Sequence, residues 1–199
     1  PSLMGGTDGT VSIPSIMITN SDGVELINLL STQVVNVSLY DSSNVGTTTF
    51  DSDFDNGVIA HEYGHGISNR LTGGPAASGC LSNEEQMGEG WSDFFSLVMT
   101  HQSSDSANQL RVIGTYVKNE PVIGGGIRPY PYSADITRSP YSYDDIKSFS
   151  VPHGVGSVWC SMLWDLYWVM IEKYGYDGDI YDGTGGNNKA MQLVMDGLT

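Results

Sequence analysis

The sequence predicts an α+β chain, with a short β-containing segment over residues 1–45 and a mainly helical region over residues 46–199. Three observations point there. Residues 11–18 (VSIPSIMI) and 33–40 (QVVNVSLY) are rich in β-branched side chains, and in the second run Val35, Val37 and Leu39 alternate onto one face. From residue 58 onward, helical patterns dominate. Between them lies a polar stretch, DSSNVGTTTFDSDFDNG over 41–57, dense in turn-forming residues, which sets the boundary near residue 45.

In chain order, Pro14 interrupts the first β-rich run and predicts an edge position or a strand start. Residues 22–30 (DGVELINLL) carry a short helical pattern, with Asn20 or Ser21 as its N-cap. A helix is expected over roughly 58–69, around the run His61-Glu62-Tyr63-Gly64-His65. The next is expected after Ser82, where Ser82-Asn83-Glu84-Glu85 has the form of a capping box, and should run to about His101. Residues 121–152, rich in Gly, Pro and Tyr, show no clear period and predict a long structured loop. The longest helix is expected over 154–173, stopping at Gly175. Val155, Val158, Trp159, Met162, Leu163, Leu166, Val169 and Met170 make it apolar on most sides, which predicts a central buried helix. After the loop YDGTGGNN a last helix starts near Asn188, and no internal repeat is present.

Composition narrows the function classes. Of 199 residues 39% are hydrophobic and 16% charged, enough apolar material for a core and too much for a disordered chain. The net charge of −15, with only 8 Lys and Arg and no basic cluster, argues against a nucleic-acid partner. No apolar run approaches the ~20 residues that span a bilayer, so no membrane partner is expected. Cys80 and Cys160 are too few for a disulfide scaffold and leave the redox compartment open. Excess Asp over Lys, abundant Ser, Thr, Gly and Asn, and the sequon Asn36-Val37-Ser38 lean towards secretion.

The chemistry concentrates in His61-Glu62-Tyr63-Gly64-His65, an H-E-x-x-H motif. Residues four apart share a helix face, so both imidazoles can serve one metal. Glu62, about 100° further round the helix, can reach a water at that metal without ligating it. Zinc suits two imidazoles and leaves room for a carboxylate and a water. In Gly88-Glu89-Gly90-Trp91-Ser92-Asp93, Glu89 is the natural third ligand, and Asp93, one turn on, can hydrogen-bond the free nitrogen of a liganding histidine.

Other positions carry two readings each. His153, just before the long helix, is placed to donate a hydrogen bond to a developing oxyanion, or else is a satisfied core or cap histidine. His101 reads as a dipole partner at a helix C-terminus. Arg128, after three glycines, fits either a substrate carbonyl or carboxylate, or a structural pairing with an acid. Tyr141 and Tyr143 fit phenol donors to substrate or aromatic loop packing. Asp51-Ser52-Asp53-Phe54-Asp55 starts like a calcium loop, but an EF-hand is excluded: its sixth position is Asn56 and its twelfth is Glu62. A looser calcium site there, or in 177–182, stays open.

Taken together, DFDNGVIAHEYGHGISNRLTGGPAASGCL and MGEGWSDFF resemble the core of the fungalysin family of zinc metallopeptidases. GIRPYPYS, HGVGSVW and TGGNNKAMQLVMDGL are similar to that family's later blocks, in the same order, so the resemblance covers about residues 50–199. It implies a thermolysin-like (gluzincin) catalytic fold over 46–199, secretion as a zymogen with a propeptide partner, and endopeptidase action on proteins or peptides. Carried over by motif, His61, His65 and Glu89 become zinc ligands and Glu62 the acid/base, while His153 falls in the block that supplies a transition-state stabiliser. Residues 1–40 resemble the end of a protease-associated domain, which makes 1–45 a partial segment of that kind. The family also implies a β-rich cleft wall before the zinc helix and a further helical stretch after Thr199; the chain therefore reads as a fragment.

The expected function is a secreted zinc endopeptidase. Its alternatives are a zinc aminopeptidase, which needs an acidic site for the substrate α-amine, and a non-catalytic binding fragment, in which Glu62 beside two histidines has no use.

Overall fold

A computed structural model describes residues 20–33, 50–83 and 87–199. The chain divides into two units, 1–49 and 50–199. In the first, the described residues form helix α1 (Asn20–Leu30) and the turn after it. The strand expected over 11–18, nearly all of that over 33–40, and the capping roles of Asn20 and Ser21 lie outside the described residues.

The second unit is helical. Helix α2 spans Asn56–Gly73, α3 Gly88–Met99, α4 His153–Tyr174 and α5 Gly186–Asp196. No strand occurs among the described residues; one isolated bridge pairs Arg111 with Tyr132. The described residues are thus mainly helical, and among them the β component of the expected fold class has no counterpart. Residues 100–152 are irregular apart from a short 3-10 turn at Tyr143–Lys147, and over 121–152 this is what the lack of period predicts.

Local chemistry explains the helix ends. Asp55 caps α2, its Oδ1 accepting from the Gly57 and Val58 amides at 2.9 and 3.2 Å. Gly74 and Gly175, at φ 66° and 76°, take the left-handed turn that stops α2 and α4. Helix α3 begins at Gly88 with Met87 at its N-cap, five residues later than the Ser82 pattern suggests. Its first turn has no side-chain cap, and burial of that turn sets the start instead.

Helix α3 is the central element. Every residue from Gly88 to Val98 except Trp91 is buried, with α2 packed on one side and α4 on the other. Phe94, Phe95, Leu97 and Val98 meet Leu163, Trp164 and Tyr167 of α4, while Ala190 and Val194 of α5 close the core. The expected central helix, α4, is buried on one face only: Met162 and Val169 are 53% and 59% exposed. Its apolar composition overstates its burial because the covering elements reach only the Cys160–Leu163–Trp164–Tyr167 face.

The helices cross closely because glycine stands at the crossings. A Cβ on Gly64 of α2 would lie 2.8 Å from the Ser92 Cα, and one on Gly156 of α4 would lie 2.6 Å from the Glu89 Cβ. Neither has room for a side chain. Ser96 adds a bond from its Oγ to the Gly57 carbonyl, 2.7 Å.

His101 departs from the expected dipole role. Helix α3 ends at Met99, and the His101 ring stacks on Tyr176 at 4.7 Å, with Tyr167 and Trp168 also against it. Burial pushes its pKa below the usual 6.5, a shift that Asp105 opposes and Arg111 reinforces. The unfolded chain therefore takes up this proton first, and His101 costs stability as pH falls through about 6.5. Replacing it with Phe should reduce the loss of stability between neutral and mildly acidic pH, measured as the difference between variant and parent in urea titrations. An identical pH profile would show that His101 keeps its ordinary pKa.

Candidate metal centre

Helical spacing brings His61 and His65 to one face of α2, with ring centroids 4.8 Å apart and planes at 89°. The Gly64–Ser92 crossing lays the first turn of α3 against that face. Glu89 Oε2 then stands 3.2 Å from His61 Nε2, and Oε1 3.5 Å from His65 Nε2. One donor atom from each of the three residues falls within 4.8 Å of the others, and no other such His/Cys/Asp/Glu group occurs among the described residues. Ligands about 2.1 Å from a tetrahedral ion stand about 3.4 Å apart, so these spacings fit zinc.

One turn along α3, Asp93 is wholly buried beneath His61. Its Oδ1 is 2.6 Å from His61 Nδ1. Arg128 donates to both carboxylate oxygens, Nε to Oδ2 at 2.6 Å and Nη2 to Oδ1 at 2.8 Å, and Nη2 also reaches Glu89 Oε2 at 3.3 Å. The Tyr132 hydroxyl donates to Asp93 Oδ2. Burial alone would raise the pKa of this carboxyl, but the Arg128 and His61 hydrogen bonds hold it below the usual carboxylate range. His61 shows the complementary effect: burial works against its charge, yet the Asp93 and Glu89 hydrogen bonds lift it to about 9. Glu89, opposed by burial, is lowered by hydrogen bonds from His61 and His65.

The other expected residues fall into place unevenly. His153 is the first residue of α4, its Nε2 3.4 Å from Glu89 Oε1 and its side chain 59% exposed at the open edge of the cluster. Glu62 is exposed on α2 and makes no side-chain hydrogen bond among the described residues. Arg128 is 8% exposed, and its guanidinium is engaged by Asp93 and Glu89; of its two expected roles, the acid pairing is the one present, because burial turns its donors inward. Tyr143, expected at the substrate, is 82% exposed on its 3-10 turn and makes none of the contacts that build the cluster. Tyr141 packs instead, its hydroxyl donating to the Tyr130 carbonyl at 2.6 Å. Cys80 and Cys160 are both free thiols, one exposed and one buried.

Nothing along the sequence singles out Tyr132. Two tyrosines flank Pro131, and nothing in the run GIRPYPYS says which points inward. The backbone pairing of Tyr132 with Arg111 decides it. The aspartates of the two considered calcium loops serve the backbone: Asp51 Oδ1 accepts from the Asp53 amide, Asp177 from Asp179 and Thr184, and Asp179 from Tyr181 and Asp182.

Two histidines one helical turn apart, a carboxylate from the next helix and a buried Asp–Arg pair behind them make a group that could hold a metal ion, of the two-imidazole, one-carboxylate class. The chain belongs to the fungalysin (M36) metallopeptidase family, whose model matches residues 6–199. It is 45% identical over 157 residues to the extracellular metalloproteinase MEP of Fusarium vanettenii, covering 74% of this chain and 24% of that protein. Extracellular metalloproteinase 2 of Trichophyton tonsurans is 41% identical over 157 residues, covering 75% and 24%. Extracellular metalloproteinase 1 of Phaeosphaeria nodorum is 39% identical over 164 residues, covering 78% and 26%. The chain spans about a quarter of the length of these curated relatives. The family match takes in residues 6–45, where the described part is helix α1, so a separate β-containing protease-associated segment finds no support. No described helix is long and apolar enough to cross a membrane.

Proposed function

We propose that this chain carries the metal ligands and catalytic groups of a secreted zinc endopeptidase acting on proteins and peptides. The observation that carries the reading is the convergence of His61, His65 and Glu89 within 4.8 Å, with Glu62 next to the first of them. Two imidazoles and a carboxylate, with the far nitrogen of one imidazole bonded to a buried aspartate, make a donor set that suits zinc. When bound there, zinc supplies Lewis acidity, acidifying a water and polarising a carbonyl.

The chain's own residues do the rest. Asp93 holds the Nδ1–H of His61, which leaves Nε2 free to ligate. Arg128 keeps that buried aspartate charged. Glu62, exposed on the same helix, accepts a proton from the attacking water at a carboxylate oxygen and passes it to the leaving amine nitrogen. His153, at the open edge of the cluster, donates from Nε2 to the carbonyl oxygen as charge develops on it. The extracellular names of the relatives support secretion, and the family resemblance supports a propeptide as partner in the zymogen.

Metal analysis of the dialysed protein should find one zinc per chain, and His65→Ala should lose it. Unchanged metal content in that variant would remove His65 from the ligand set. His153→Ala should lower kcat by about 10²–10³-fold, the usual loss of one oxyanion donor, with KM, zinc content and melting temperature nearly unchanged. A destabilised variant with intact kcat would assign His153 to the fold instead.

A further inference from the structure

We propose that Tyr132 is a positioning residue for the metal centre, its hydroxyl orienting His61 through the carboxylate of Asp93. The inference rests on the assignment of His61, His65 and Glu89 as ligands.

Asp93 receives four hydrogen bonds, two on each oxygen. On Oδ1 they come from His61 Nδ1 and Arg128 Nη2, and on Oδ2 from Arg128 Nε and the Tyr132 hydroxyl. The two donors on Oδ2 set the rotation of the carboxylate, and that rotation sets where Oδ1 meets the imidazole. Arg128 is shared with Glu89, so its guanidinium is pulled between two acids. The hydroxyl, which also lies beside the buried Cys160 thiol, has no second acid among the described residues to share its proton with.

Tyr132 is also held more firmly than a donor on a loop usually is. It is wholly buried, and its backbone exchanges both hydrogen bonds with Arg111, at 2.9 and 2.8 Å. Its ring stacks on Tyr141, 5.7 Å between centroids and 21° between planes. A phenol has only two side-chain torsions, and both are set by these contacts. The hydroxyl is therefore a fixed point from which Asp93, and then His61, take their orientation.

A merely structural tyrosine in this core would behave like Tyr141, which stacks in the same pair but spends its hydroxyl on the Tyr130 backbone. That contrast makes the test. Zinc affinity is measured by chelator competition on the full chain for the parent, Tyr132→Phe, Tyr141→Phe and His65→Ala, with thermal melts of each metal-free form. Tyr132→Phe keeps the ring and should bind zinc about tenfold more weakly, at the lower end of the loss typical for a group behind a metal ligand. Tyr141→Phe should bind zinc like the parent even where it melts lower. In an Asp93→Asn background, Tyr132→Phe should have no further effect on zinc affinity, because the element it acts through has changed.

Parental zinc affinity in Tyr132→Phe, an equal loss in Tyr141→Phe, or an additive loss in the Asp93→Asn background would each overturn the proposal. A parent that binds no zinc, or a His65→Ala that binds it normally, would overturn the ligand assignment itself, and the role of Tyr132 with it.

Discussion

Replacing Glu62 with Gln in a peptidase-active form of the protein is expected to lower kcat by about 10²–10⁴-fold while zinc content stays at the parental level. Gln has nearly the shape of Glu, so the helix and the ligands around it are undisturbed. Glu62 is exposed and makes no side-chain hydrogen bond among the described residues, so no structural partner is lost either. What disappears is the proposed role of this carboxylate, accepting a proton and returning it. The measurement is steady-state hydrolysis of a quenched peptide by zinc-loaded parent and variant, with metal content determined on the same samples. Near-normal turnover in a zinc-loaded variant would show that another group is the base.

Arg128→Met should destabilise the metal-free chain by about 3–5 kcal/mol, the usual cost of removing one partner from a buried ion pair. Methionine keeps much of the aliphatic stem, so packing is largely preserved and the loss is electrostatic. Asp93, wholly buried, would lose the guanidinium that offsets its desolvation, and the chain then bears either a poorly paired charge or the cost of protonating it. Urea unfolding of Arg128→Met, Asp93→Asn and the double variant separates the parts. Once Asp93 is neutral there is less charge to strand, so the double variant should cost less than the sum of the singles. A loss within about 0.5 kcal/mol, the range of ordinary surface substitutions, would show that water reaches Asp93 and replaces the guanidinium.

Much of the site can be read along the chain because its chemistry is local. The separation of His61 from His65 is one helical turn, so any helix through these residues pairs their rings. Glu89 and Asp93 are likewise one turn apart on α3, and the structure brings one to both histidines and the other to the far nitrogen of His61. His153 reaches Glu89 because the element it begins, α4, crosses α3 at Gly156. The helix α3 start was harder to read. Ser82-Asn83-Glu84-Glu85 carries good capping chemistry, yet the described helix starts at Gly88, where its residues are buried.

Where the partners are far apart in sequence and lie on irregular backbone, no period exists to reveal them. Arg128 and Tyr132 belong to a stretch without helix or strand, and their side chains are aimed by one isolated bridge and one aromatic stack. Composition left Arg128 equally suited to substrate and to an acid; burial beside Asp93 chose the acid. Tyr143 was as good a phenol as Tyr132, and only the path of the loop left one in solvent and the other on the carboxylate. Apolar composition misjudged α4 for a related reason, since burial depends on which neighbours arrive and not on the helix's own side chains.

Most of the helices of the second unit, the pairing of His61 with His65 and of Glu89 with Asp93, and the family can be read from spacing or motif along a single element. That α3 rather than α4 is the buried centre, and that Arg128 and Tyr132 complete the shell around Asp93, emerges from the packing alone. Those outcomes depend on close helix crossings and loop paths, which are set by contacts between residues distant in the chain and leave no periodic trace in it.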